Sequence, residues 1–386
     1  MKVVIAIDSF KGSLDSLRAG EAARAGVLAA DPGATVVVVA IADGGEGTLA
    51  ALLAANKGKL RAVETVDPLG QRLTAHYGIF GREGRQRAVL ECARTIGLHL
   101  VPVDSTLPER ANSYGFGQQL IHALDSGVEE VLVSLGGSAT TDGGSGVLLA
   151  LGARVLDEAG HPIGPGENPL WRFSRLDISG MRQVDTRICV LSDVTNPLTG
   201  PRGAAAVFGP QKGANPQQVA HLDVQMNRWA ESLTDVFGRS LADTPGAGAA
   251  GGLGATFLAL GAHIEPGFER VAAELGLAST LAGADLVLTG EGSLDAQTAH
   301  GKVTSGIAQM AVGAGALVVA VAGRVDRPLG EMSSRLNAAF GIHSEARSLA
   351  QALDPTITSR EIEATSFEVT RLVIAAGMRS CGTCRE

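Results

Sequence analysis

The sequence predicts an α/β fold: a doubly wound parallel-sheet domain built from both ends of the chain, with a second α/β domain inserted between them. Three observations predict it. Short runs of Val, Ile and Leu recur, each followed by a Gly- or Asp-containing turn and then a helical pattern, the rhythm of parallel strands joined by crossover helices. Aromatic residues make up only 4% of the chain whereas glycine occurs 51 times, which favours close helix-on-sheet packing over a β-sandwich. Finally, 386 residues, 45% of them apolar, exceed what one core usually organises, so two domains are expected.

In chain order, the apolar runs predict strands over Val3–Ile7, Thr35–Ile41, Val131–Leu135, Ile188–Leu191, Asp285–Leu288, Leu317–Ala322 and Ala338–Ile342. Helical periodicity predicts helices over Ser16–Ala30, Gly47–Ala55, Phe116–Ser126, Pro216–Phe237, Val303–Val312 and Ile362–Arg379. The strands near the two ends share one style, fully apolar and short, while the middle carries Gly-rich loops and the less regular stretch 157–180. The expected division is therefore a discontinuous domain of residues 1–60 and 285–386, with residues 61–284 inserted.

Composition excludes several classes of function. The formal net charge is −8 and no Lys/Arg cluster is long enough to track a phosphate backbone, so nucleic acid is not an expected partner. No run reaches the length of a membrane span, and Met1–Ile7 is too short for the apolar region of a signal peptide, so the expected setting is the cytoplasm. Cys92 and Cys189 lie in apolar segments and read as core thiols; Cys381 and Cys384 form a lone CxxC in the tail, which a frayed end explains better than a zinc or redox site. The histidines show no metal-ligand spacing, and there is no GxSxG elbow. The sequence is silent on oligomeric state.

Polar motifs fall just after the apolar runs: Asp8, Ser9 and Lys11 after the first, Asp43–Thr48 after the second, Gly136–Asp142 after the third, Asp193 after the fourth and Glu291 after the fifth. The carboxyl ends of parallel strands form the ligand crevice of such sheets, so five segments depositing acids and glycines there is what a shared site requires. In Gly136-Gly137-Ser138-Ala139-Thr140-Thr141-Asp142, glycines free backbone amides to face an anion and the hydroxyls add donors, a phosphate or carboxylate cradle. The bland alternative is a strand-to-helix turn capped by Asp142. Asp43 and Glu46, set among glycines, could hold Mg²⁺ or substrate hydroxyls, or form a capping box. Phosphoryl transfer needs cations to neutralise spread charge and a carboxylate to orient the nucleophile, roles that Asp193, Lys212, Lys11 and Lys302 fit. Lys212 and Lys302 could equally be solvated surface lysines. Glu291, Asp295, Gln297 and Lys302 give one short loop more polar equipment than a turn needs. Gly246–Gly251 satisfies GxGxxG literally but follows Asp243-Thr244-Pro245 instead of a strand, and no Walker A sequence occurs.

Taken together, Asp8-Ser9-Phe10-Lys11-Gly12-Ser13, Ala42–Thr48, Gly136–Gly144, Asn196-Pro197-Leu198, Phe208–Ala214 and Thr289–Gly292 resemble the class I glycerate kinases, over nearly the whole chain. The resemblance implies a Rossmann-like (flavodoxin-like) domain carrying an inserted domain, and ATP- and Mg²⁺-dependent phosphorylation of D-glycerate to 2-phosphoglycerate. It also implies that Asp8, Ser9, Asp43 and Glu46 line the substrate side, that Gly136, Gly137, Ser138, Thr140 and Thr141 hold phosphates, and that Asp193 orients the glycerate hydroxyl or binds Mg²⁺. The chain departs from the family pattern at Ile7 and Thr304, where proline is usual, at Asn112-Ser113, where paired threonines are expected, and at Arg94-Thr95, where small residues are common. Two other readings stand beside this one: a kinase for another short hydroxy acid, and a non-catalytic sensor of glycerate or nucleotide.

Overall fold

The computed structural model describes residues 1–82, 85–299 and 303–382, which divide into two compact units. The first comprises residues 1–43, 50–55 and 268–386; the second comprises residues 44–49 and 56–267.

The first unit is built on a five-stranded sheet in the order Ala338–Gly341, Leu317–Ala322, Leu286–Thr289, Lys2–Ile5 and Thr35–Val38, with every pairing parallel. Counted within the unit this is the flavodoxin-like order 2-1-3-4-5, whose chain path reverses between the first and third strands. The three central strands, Leu317–Ala322, Leu286–Thr289 and Lys2–Ile5, are apolar runs buried on both faces because helices cover the sheet on either side, while the two edge strands are more exposed. Helix Ser16–Ala30 starts where Asp15 accepts the backbone N–H of Arg18, and it contributes Ala19, Ala23 and Val27 to a core shared with Ile362 and Val369 of helix Pro355–Gly382. That last helix begins seven residues before the predicted Ile362. Asp354 accepts the N–H groups of Thr356 (2.9 Å) and Ile357 (3.0 Å), and Pro355 occupies the first turn, a start signal independent of apolar periodicity.

The second unit carries a six-stranded mixed sheet in the order His263–Glu265, Arg187–Leu191, Glu130–Ser134, Arg85–Glu91, Arg72–Arg82 and Lys59–Val66. Its first four strands are parallel and its last two pairings antiparallel. The antiparallel meander is absent from the predicted strands. Its segments, such as Lys59-Leu60-Arg61-Ala62-Val63-Glu64-Thr65-Val66, are rich in charged and polar residues because much of their surface is exposed, so they lack the continuous apolar run that marks a buried parallel strand. The core lies between one face of this sheet and the helices, where Phe116 meets Phe257 and Phe173 meets Trp229 edge to face. The GxGxxG segment opens Ala249–Ala259, and Ala250, Gly251 and Gly252 all adopt left-handed φ there. A Cβ on Gly251 would lie 2.0 Å from the carbonyl oxygen of Thr140, so this glycine permits backbone packing, and the loop is a packing element.

Candidate active site

In the first unit, hydrogen bonding between the strands Lys2–Ile5 and Leu286–Thr289 continues past their ends: Ala6 N–H donates to Leu288 and Asp8 N–H to Gly290, each at 2.9 Å. Asp8 and Glu291 thereby emerge side by side at the point where the sheet order reverses, the usual ligand crevice of an open α/β sheet. Gly290 makes this possible, since a Cβ there would meet the carbonyl oxygen of Val321 at 1.8 Å. The Glu291 loop is held further by Gly323 N–H donating to Glu291 O (3.1 Å) and Arg324 N–H to Gly292 O (3.0 Å).

A cavity of about 830 Å³ opens here, lined by Asp8, Ser9, Lys11, Asp43, Glu291 and Thr304 among others. Burial pushes the Asp8 carboxyl up to about 6; the Ser9 N–H, donating to Oδ1 at 2.7 Å, works against that, and the negative charge of Asp43 adds to it. Glu291 is likewise raised, first by burial and then by the charges of Asp8 and Asp295, while the hydroxyls of Thr304 and Thr298 oppose the shift. Three carboxylates around one cavity, two of them held above the ordinary range, form an electrostatically costly set that a cation relieves.

In the second unit, the Gly136–Gly144 loop leaves strand Glu130–Ser134 and enters helix Ser145–Ala150. Lys212 is 2% exposed, and its Nζ donates to Ser138 Oγ (3.0 Å) and to the carbonyl oxygen of Thr140 (2.6 Å). It is therefore not a solvated surface lysine. Burial pulls its ammonium down to about 8. Cys92 closes the start of the loop by donating to Gly136 O (3.2 Å), and burial pushes its thiol up to about 12. Asp142, fully buried, fixes the far end: Oδ2 accepts from Ser113 N (2.8 Å), Ser113 Oγ (2.7 Å) and Gly146 N (3.1 Å), and Oδ1 from Gly144 N (3.2 Å). Asp142 thus does more than cap one helix; it ties two chain segments together.

The structure groups the expected residues in this way. Asp8, Ser9, Lys11, Asp43 and Glu291 share one cavity, while Ser138 and Thr140 meet Lys212. Gly137 is exposed on its loop, and the carbonyl of Thr141 faces inward to accept from Asn168 Nδ2 (3.1 Å). Asp193 follows strand Arg187–Leu191 and accepts the Gly267 N–H at 3.1 Å. Glu46 is exposed, and helix Thr48–Asn56 begins five residues beyond Asp43, so Asp43 does not form the capping box. Asp295 immediately precedes the turn Ala296–Ala299, which contains Gln297, and Lys302 lies outside the described residues, as does Cys384 of the tail pair. Sequence reasoning missed His343 and Arg347, which line the same cavity from beyond the sheet's last strand with no local motif to mark them.

The departures at residues 94–95 and 112–113 engage neighbouring groups of the second unit, whereas Thr304 lines the first unit's cavity. Ser113 is buried against Asp142, Asn112 Nδ2 donates to the carbonyl of Pro165 (2.8 Å), Arg94 pairs with Glu91 at 2.6 Å, and Thr95 donates to Gln119 (2.8 Å).

The profile of the glycerate kinase family matches residues 3–374. A glycerate kinase of Bacillus subtilis (strain 168) is 43% identical over 330 residues, 85% of this chain and 86% of that protein. Glycerate 2-kinase of Escherichia coli (strain K12) is 39% identical over 391 residues, 99% of this chain and 100% of that protein. A crystal structure from Salmonella typhimurium LT2, provisionally named glycerate kinase 2, superposes with a TM-score of 0.84 at 40% identity, covering 98% of this chain and 99% of that one. By fold and by these relatives, the molecule is an α/β enzyme of the phosphotransferase class. The chain belongs to the glycerate kinase family, whose activity is the phosphorylation of glycerate. No helix among the described residues is long and apolar enough to cross a membrane.

Proposed function

We propose that the chain transfers the γ-phosphoryl group of ATP to the 2-hydroxyl of D-glycerate, giving 2-phosphoglycerate and ADP, with Mg²⁺ as the metal and the cytoplasm as the setting. The observation that carries this reading is the cavity at the strand-order reversal, where Asp8, Asp43 and Glu291 stand with Lys11 and Ser9. The printed name of the Escherichia coli relative, glycerate 2-kinase, supports the position of transfer.

All-oxygen carboxylate donors are the set Mg²⁺ takes, and the raised Asp8 and Glu291 carboxyls fit a site that a dication completes. Bound there, the ion would neutralise charge on the phosphates. Lys11 adds a second positive charge for the same oxygens. In the second unit, the amides and hydroxyls of Gly136–Thr141 bind phosphate, and Lys212 positions that loop from behind. Asp193 orients the glycerate hydroxyl and takes its proton as the oxygen attacks the γ-phosphorus and the bond to the β–γ bridging oxygen breaks.

The test is incubation of the purified protein with Mg²⁺-ATP and D-glycerate, beside a panel of short hydroxy acids, with the products identified by NMR. 2-Phosphoglycerate is expected. 3-Phosphoglycerate would overturn the position of transfer, and a phosphorylated product from another acid alone would overturn the acceptor. Asp193→Asn should lower kcat by about 10²-fold or more with little change in glycerate affinity. If it instead raises the Mg²⁺ requirement at unchanged kcat, Asp193 serves the metal and not the hydroxyl. Ligand binding without turnover in the unaltered protein would leave a sensor.

A further inference from the structure

We propose that Cys189, His263 and Glu265 form a binding site for a thiophilic divalent cation of the Zn²⁺ type, separate from the phosphoryl-transfer machinery. Strand His263–Glu265 is the sheet-edge strand of the second unit, and its parallel register sets His263 beside Cys189. Paired residues on neighbouring strands point to the same face, and residues two apart on one strand do so as well, so all three side chains project on one side of the sheet. One ligand atom from each lies within 4.8 Å of the others, and His263 Nε2 is 2.8 Å from Glu265 Oε1. Tetrahedral zinc with bonds of about 2.0–2.3 Å separates its ligand atoms by roughly 3.3–3.8 Å, a spacing these side chains reach by small rotations. Sulfur, imidazole nitrogen and carboxylate oxygen together suit Zn²⁺ better than Mg²⁺, which takes oxygen donors.

The placement gives the ion an entry path and a structural consequence. His263 is 45% and Glu265 33% exposed at the side chain, while Cys189 is fully buried beneath them, so the cation approaches from solvent and meets the sulfur last. Binding converts the thiol to a thiolate and releases its proton to solvent. The two bridged strands also hold the Asp193 segment: Ser192 N–H donates to Glu265 O (3.2 Å), and Gly267 N–H donates to Asp193 Oδ1 (3.1 Å). A cation joining Cys189 to His263 and Glu265 therefore staples the strand ends between which Asp193 is anchored.

The full chain carrying Cys381→Ser and Cys384→Ser, which removes the tail thiols, is stripped with a chelator and titrated with Co²⁺ as the probe. One thiolate-bound Co²⁺ per chain is expected, read from a thiolate-to-cobalt charge-transfer band that an equivalent of Zn²⁺ displaces. Cys189→Ser should abolish the band. His263→Ala and Glu265→Gln, at an exposed and a half-buried position on the sheet edge, should weaken Co²⁺ affinity at least about tenfold. Absence of the band in the starting protein overturns the proposal, as does a band of unchanged affinity in His263→Ala, even if Cys189→Ser proves unable to fold.

Discussion

The ammonium of Lys212 sits 2.6 Å from the carbonyl oxygen of Thr140, at a residue only 2% exposed, so a cation is built into the underside of the Gly136–Gly144 loop. Its charge is held in place by that carbonyl and by Ser138 Oγ. Lys212→Met leaves both oxygens buried without a donor, at a cost of about 1–3 kcal/mol, partly offset by removal of a buried charge. The expected result is a lower unfolding midpoint in urea, with KM for ATP raised more than KM for glycerate. An unchanged KM for ATP would separate this lysine from phosphate binding.

The same lysine makes a pH prediction. Its folded-state value is about 8, below the ordinary 10.5, so the buried charge costs stability at low pH and that cost is relieved as pH rises from about 8 towards 10.5. The Lys212 contribution to stability therefore increases over this window, whereas loop order and turnover decline as the cation is lost. An alkaline limb in kcat/KM with an apparent midpoint near 8, absent in Lys212→Met, is expected from initial rates across pH.

Asp8 titrates in the opposite region. Its folded-state value is about 6 against 3.8, so the fold holds the proton more tightly than the unfolded chain; the stability this provides is complete below about 3.8 and lost as pH rises through about 6. At neutral pH the buried charge is a cost, and Asp8→Asn should raise the thermal midpoint while abolishing turnover. Asp43→Asn removes a like charge and should move the acid limb of the rate profile to lower pH. An acid limb that does not move would exclude Asp8 as the titrating group.

Asp142 accepts four hydrogen bonds, two of them from Ser113. Asp142→Ala leaves buried donors unpaired and should destabilise by about 3–5 kcal/mol, as breaking a buried charged network does. Ser113→Ala removes one hydroxyl and should cost about 1–2 kcal/mol. If glycerate affinity is unchanged in Ser113→Ala at permissive temperature, the departure from the family's paired threonines has no bearing on the acceptor.

Gly251 tests whether the GxGxxG segment is a packing device. Its φ of +71° and the 2.0 Å approach of a Cβ to Thr140 O make Gly251→Ala strained on two counts, with an expected loss of more than about 2 kcal/mol. Nucleotide affinity, measured where the variant is still folded, should follow the displacement of the Thr140 loop. A variant as stable as the parent would contradict the packing role.

The α/β class was legible because a parallel strand buried on both faces must be apolar throughout, as Leu317–Ala322 is, and because helices such as Ser16–Ala30 and Pro216–Phe237 carry their own periodicity. The strand-end acids Asp8 and Glu291 were legible for a related reason: the polarity change at a strand's carboxyl end is local in sequence. The meander Lys59–Glu91 was not, since its outer strand Lys59–Val66 is largely exposed and its inner strands place polar and charged residues between the buried ones, which leaves no continuous apolar run. Nor could the sequence place Arg347 and His343 against Asp8's cavity, bury Lys212 beneath Ser138 and Thr140, or set His263 beside Cys189. Those contacts join residues tens to hundreds of positions apart. Pattern and propensity act over a turn or a strand, whereas burial, strand register and the pKa values that follow from them exist only once distant segments have packed.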